Sequence, residues 1–147
     1  MYRGPYPFVA AFYAFLAAWT GVAVWFLAPN AFTGTWPAGH LLMIVFVVGY
    51  SWYFSLGIGH EVEVRADGEV RIKCYRRSLK SHARQISVVE GPRFSFLPWG
   101  FIRMRLEGEK IYVFSWLGGG KLGKFLTALK MANKEIEIKF LVQNGAP

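Results

Sequence analysis

The sequence predicts a membrane α-helical hairpin of two transmembrane helices followed by a small β-rich (α+β) domain with one C-terminal helix. Three observations carry this expectation. Residues 1 to 60 contain one charged side chain, Arg3, whereas the remaining 87 contain 16 Lys+Arg and 9 Asp+Glu. Two uncharged apolar runs, Phe8 to Ala28 and Leu41 to Gly59, lie inside the first part. Beyond His60 the apolar period changes from helical to two, and it turns helical again after Gly118-Gly119-Gly120. Residues 1–60 are therefore expected to form the hairpin and 61–147 the β domain.

Crossing about 30 Å of hydrocarbon as a helix takes roughly 20 residues, and the two runs of 21 and 19 residues meet that need. The first run exceeds a usual signal-peptide core and no A-x-A site follows it, so it reads as a retained anchor. The loop Pro29 to His40 has no Lys or Arg, while Arg3 and every other basic residue lie on the opposite side. By the positive-inside rule both termini are expected to be cytoplasmic. Cys74, the single cysteine, allows no intrachain disulfide.

Gly4-Pro5-Tyr6-Pro7 stops a helix from starting earlier, so helix one is expected from about Phe8, with Tyr2 and Tyr6 as interfacial rings. Small residues recur at Ala10, Ala14 and Ala18, with Ala17 and Gly21 on a neighbouring line, and at Ser51, Ser55 and Gly59 in helix two. Such stripes let helix backbones approach closely where lipid supplies no hydrophobic drive. They either face each other within this hairpin or dock on another subunit. Trp36, in the connecting loop, is expected at the outer interface.

Glu61 to Ala66, Asp67-Gly68, and Glu69 to Cys74 read as strand, tight turn and strand. Val62, Val64, Val70, Ile72 and Cys74 should face inward, with Arg71 and Lys73 outward. Further strands are expected at Arg84 to Val89, Arg93 to Phe96, Phe101 to Glu107 and Lys110 to Trp116, forming a meander. Leu122, Phe125, Leu126 and Leu129 then follow helical spacing, giving a helix over about 121–133. The tail Glu135 to Phe140 alternates, as a last strand or a frayed helix end.

This order resembles the pleckstrin-homology-like (PH-like) domains of bacterial membrane-anchored proteins, which often follow a two-helix hairpin. The resemblance covers Glu61 to about Asn133. It rests on the Asp67-Gly68 hairpin, the basic stretch leading into Gln85-Ile86-Ser87-Val88, the segment Trp99-Gly100-Phe101-Ile102-Arg103-Met104, and the helix from Leu122. It implies scaffolding, assembly and subunit contact at the inner leaflet, and it brings no catalytic signature.

Several constellations invite a chemical reading. Gly118 to Lys124 matches G-x-x-x-x-G-K between a strand and a helix, but Phe125 stands where a Ser or Thr must reach Mg²⁺. Asp67, the only aspartate, is committed to a turn, so no second metal-side acid remains. His40 and His60 bracket helix two, about 30 Å apart at 1.5 Å per residue, and so cannot share a metal. His60 beside Glu61 and Glu63 reads as a polar juxtamembrane cap rather than a ligand set. No Ser/His/Asp set is available, and neither catalysis, a cofactor nor a metal is expected.

Two features suggest binding. Arg71, Lys73, Arg76, Arg77, Lys80 and Arg84 form a polybasic segment with no acid between Glu69 and Glu90, suited either to anionic lipid or merely to topology and solubility. Leu97 and Trp99, at an aromatic turn flanked by Arg93, Arg103 and Arg105, suggest a partner-docking tip. Arg93-Phe94-Ser95-Phe96 interleaves basic and aromatic residues, yet a bilayer-tethered domain is poorly placed for nucleic acid. The expected role is a non-catalytic accessory or assembly subunit of a larger integral membrane complex, with other membrane subunits and lipid as partners. The alternative is a stand-alone lipid-binding or scaffolding module at the inner surface.

Overall fold

The computed structural model describes residues 1–33, 38–92, 98–106, 108–118 and 120–139. Trp36, Arg93, Phe94, Phe96 and Leu97 lie outside them. Two long apolar helices, α1 (Tyr6–Thr33) and α2 (Ala38–Ser55), precede a mixed β-sheet and a third helix, α3 (Gly120–Ala132). Both N-terminal helices are long and apolar enough to cross a membrane, and only 11% and 6% of their most apolar windows are buried, so they are not interior helices of the domain.

α1 starts at Tyr6 rather than Phe8, with Val9 N–H donating to the Pro5 carbonyl at 3.1 Å. Proline suits this place because the first turn's N–H groups have no helical acceptor. α2 ends four residues earlier than its apolar run. Gly57 and Ile58 N–H groups close a tight turn onto the Phe54 and Ser55 carbonyls, and Gly59 already belongs to a strand. Apolar character therefore outlasts the helix.

That strand, β2 (Gly59–Val64), forms a hairpin with β3 (Glu69–Cys74), and β4 (Ser78–His82) continues the meander. A 3-10 turn, Ala83–Gln85, leads into β5 (Ile86–Glu90), β6 (Trp99–Leu106) and β7 (Glu109–Trp116), a second antiparallel meander. The two join where Gly59 pairs in parallel with Val113. β8 (Glu137–Lys139) adds to β5 in parallel, so these three residues of the tail are strand, while Phe140 lies outside the described residues, and β1 (Tyr2–Arg3) pairs with Val62 and Glu61 of β2.

The β2–β3 loop is longer than Asp67-Gly68 alone. Val62 pairs with Ile72 and Val64 with Val70, so the loop spans Ala66 to Gly68, with Gly68 at φ +86°. A two-residue turn would set Val64 opposite Arg71 and place apolar and charged side chains on one face. β4 is an edge strand whose only apolar side chain besides the chain's backbone atoms is Leu79, too little for a strand signal in the sequence.

The main core lies on one face of the sheet. Val62, Val70, Ile72, Ile86, Val89, Ile102, Met104, Ile111 and Val113 pack against Leu122, Phe125, Leu126 and Leu129 of α3. Tyr2 belongs to this core at 3% exposure, its ring 5.5 Å from that of Phe125, and is not an interfacial ring.

Candidate functional site

The site is the joint between the hairpin and the second face of the sheet. Side chains alternate along β6 and β7, so Phe101, Tyr112, Phe114 and Trp116 point away from the α3 core. The first two turns of α1 cover them. Phe8 packs on Trp99, Phe101 and Phe114, and Phe12 on Phe101 and Phe114, with ring centroids 5.4 to 6.1 Å apart. Val9, Ile58 and Phe114 are the buried centre of this cluster. Helix two is tied in by Phe54 against Tyr112 and by the Tyr13 hydroxyl, which donates to the Ser55 carbonyl at 2.7 Å.

Close approach fixes the route of the chain here. Gly4 N–H donates to the His60 carbonyl at 2.8 Å, and a Cβ on Gly4 would meet Phe114 Cβ at 2.9 Å. A Cβ on Gly59 would lie 2.8 Å from Ile72 Cγ2 and 3.1 Å from Val113 Cγ2. Gly59 is therefore corrected from a helix-packing residue to the contact between two meanders.

The small-residue stripes do not face each other. Along α1 the inward positions are Val9, Tyr13, Leu16 and Thr20, while Ala10, Ala14, Ala17, Ala18 and Gly21 are exposed. At 100° per residue the small face is turned about 120° from the packed one. On α2, Ser51 and Ser55 do lie inward, Ser51 donating to the Val47 carbonyl at 2.7 Å. Between the helices Trp52 Nε1 donates to Thr20 Oγ1 at 2.8 Å, and that hydroxyl donates to the Leu16 carbonyl.

The polybasic segment divides. On the outer face of β1 to β4 acids meet its cations: Lys73 lies 3.4 Å from Glu61 of β2, which Arg3 also approaches at 3.6 Å, and Arg71 lies 3.7 Å from Glu69, two residues before it on the same strand. Arg77 pairs with Glu109 at 3.2 Å. Arg71 Nε is buried with no hydrogen-bond partner among the described residues. Lys80 and Arg84 are exposed, four and eight residues beyond Arg76. β4 runs antiparallel to β3 and so away from the hairpin's end, and Arg84 follows it in the 3-10 turn. Only Arg76 sits at that end without an acid among the described residues, its guanidinium carbon 3.9 Å from the centre of the Tyr53 ring on α2.

Trp99 is the first residue of β6, paired with Trp116 and stacked on Phe8 at 6.1 Å, and 43% exposed. It is a strand residue at the joint rather than the tip of a turn. Arg103 is engaged by Glu90, which holds that carboxyl below its ordinary range. His60 stacks on Tyr75 at 4.6 Å, with Nδ1 buried and without a hydrogen-bond partner among the described residues. Burial pushes its imidazole below the ordinary value against the opposite pull of Glu61, with Lys73 and Arg3 adding to the lowering. His82 lies elsewhere, against the Asp67 carbonyl at 3.1 Å. Gly123 and Lys124 stand inside α3, not in a loop before it, with Lys124 exposed beside the buried Phe125.

Sequence reasoning missed Glu61 and Glu109 as neutralising partners, and Gly4, Phe8 and Phe12 as the seal of the joint. Glu61 faces Lys73 only in the register that the longer loop sets; the two-residue turn expected from the sequence would set it opposite Cys74. Glu109 comes from a strand 32 residues away and gives no local signal. Compared with protein-family models, curated proteins and solved structures, the chain matches none of them.

Proposed function

We propose that this chain is a non-catalytic accessory or assembly subunit of a larger integral membrane complex. Its hairpin crosses the bilayer and packs laterally on other helices, and its PH-like domain stands at the cytoplasmic face of a bacterial inner membrane. The observation that carries this reading is the outward face of α1. Ala14, Ala17, Ala18 and Gly21 are exposed, and α2 packs on a different face, so a surface suited to close helix contact is unused among the described residues. The aromatic seal adds to it, because a hairpin fixed to the sheet lets lateral docking position the domain as well.

The PH-like reading is supported by two three-stranded antiparallel meanders and a helix packed across one face. The stand-alone lipid module loses support, because Glu61, Glu69 and Glu109 neutralise half of the polybasic segment. Purification of the tagged full chain in mild detergent tests the proposal. A stoichiometric partner is expected, and a clean monomer across several gentle detergents would remove it.

A further inference from the structure

At the joint an open cleft of about 340 Å³ is lined by Tyr6, Val9, Ala10, Tyr13, Leu56 and Tyr75. Its walls come from the start of α1, the turn after α2 and the turn after β3, so it lies where the hairpin leaves the sheet. The Tyr13 hydroxyl is already bound to Ser55, which leaves an apolar floor. At its edge stands a cation. The backbone N–H of Arg76 donates to the carbonyl of the lining residue Leu56 at 3.0 Å, and the Arg76 guanidinium lies beside Gly57 and over the Tyr53 ring, 3.9 Å from its centre, with no ion pair among the described residues.

We infer that this cleft holds one anionic phospholipid, its phosphate at Arg76 and the upper part of an acyl chain against Val9, Ala10 and Leu56. The inference rests on the hairpin spanning the bilayer as proposed above. Charge complementarity selects the occupant. An apolar cleft at the depth of the headgroups, with an unpaired guanidinium at its edge, matches a ligand that is anionic at one end and hydrocarbon at the other. Tyr6, 80% exposed, and Tyr75, 58% exposed, supply phenols of the kind that sit at headgroup level.

The test is native mass spectrometry of the full chain in mild detergent with added phosphatidylglycerol or phosphatidylcholine, beside alkaline extraction of the membranes that contain it. One phosphatidylglycerol should be retained in preference to phosphatidylcholine. Arg76→Gln should lower that preference about fivefold, the effect of one cation at an anionic surface. Ala10→Trp, which fills the cleft, should abolish retention of both lipids, and Arg84→Gln should change nothing. Equal retention of the two lipids, or an unchanged preference in Arg76→Gln, overturns the site. If alkaline treatment releases the chain without detergent, the spanning hairpin fails and the lipid site with it. If the chain resists extraction yet holds no phosphatidylglycerol, the site alone fails.

Discussion

The Tyr2 hydroxyl accepts a hydrogen bond from the Trp116 backbone N–H at 3.0 Å, joining residues 114 positions apart. With β1 paired on β2 and Gly4 bonded to His60, the segment before α1 is part of the sheet. The hairpin thus leaves the β domain and returns to it, Tyr2 to Gly4 on one side and Ile58 to His60 on the other.

Removing that hydroxyl should weaken the whole domain. Tyr2→Phe leaves the part-buried Trp116 N–H without this acceptor, at a cost of about 1 kcal/mol. Tyr2→Ala also empties a core site beside Phe125 and should cost about 3–5 kcal/mol. Denaturant unfolding of the full chain in detergent, followed by tryptophan fluorescence, checks both, and an unchanged midpoint in Tyr2→Ala contradicts the placement of Tyr2 in the core.

Gly59 and Gly21 should respond oppositely. Gly59→Val drives a side chain into Ile72 and Val113 and should cost about 1–3 kcal/mol. Gly21→Ala meets no atom within 4 Å and removes a flexible residue from a helix interior, so it should be neutral or stabilising by up to about 1 kcal/mol. Thermal unfolding of the two variants side by side separates them.

Acidification should loosen the joint through His60. Its folded pKa lies below the ordinary value near 6.5, so the unfolded chain binds more protons in the window beneath that value. Stability is then fully present above about pH 6.5 and falls as pH drops through it towards the folded pKa. Glu90, held low by Arg103, is also stabilising above the ordinary carboxylate range, but its loss begins only below about pH 4.3. Unfolding midpoints between pH 8 and 5 therefore isolate the histidine. The wild-type slope should flatten in His60→Gln, and an equal slope in that variant counts against the assignment.

The interhelical hydrogen bond should matter modestly. Thr20→Val removes the acceptor of Trp52 Nε1, and side-chain bonds between apolar helices average about 0.6 kcal/mol. A loss of several kcal/mol in a detergent unfolding titration would show that Thr20 does more than accept this bond.

How much of this was legible in the sequence depends on how local each cause is. The β2–β3 hairpin, the inward Val62, Val70 and Ile72, and the α3 stripe of Leu122, Phe125, Leu126 and Leu129 follow from periodicity, and the structure has them so. Helix ends were less legible, because Leu56 to Gly59 is as uncharged as the helix before it and the chain turns there for reasons of tertiary packing. The basic segment misled in a different way. Charges close in sequence alternate across a strand and extend along it, and acids from β2 and β7 reach them only after folding. The stripe of Ala10, Ala14 and Ala18 was readable as a pattern, but no pattern says which face α2 takes. Tyr13, Leu16 and Thr20 decide that through contacts with Ser55 and Trp52.

The proposed role places another protein on the outward face of α1. A photo-crosslinking residue at Ala14 in native membranes tests it, with the same residue at Trp19, exposed and about 140° further round the helix, as the comparison. One protein adduct of constant mass is expected from Ala14 and none from Trp19. Lipid adducts alone from both positions would contradict it.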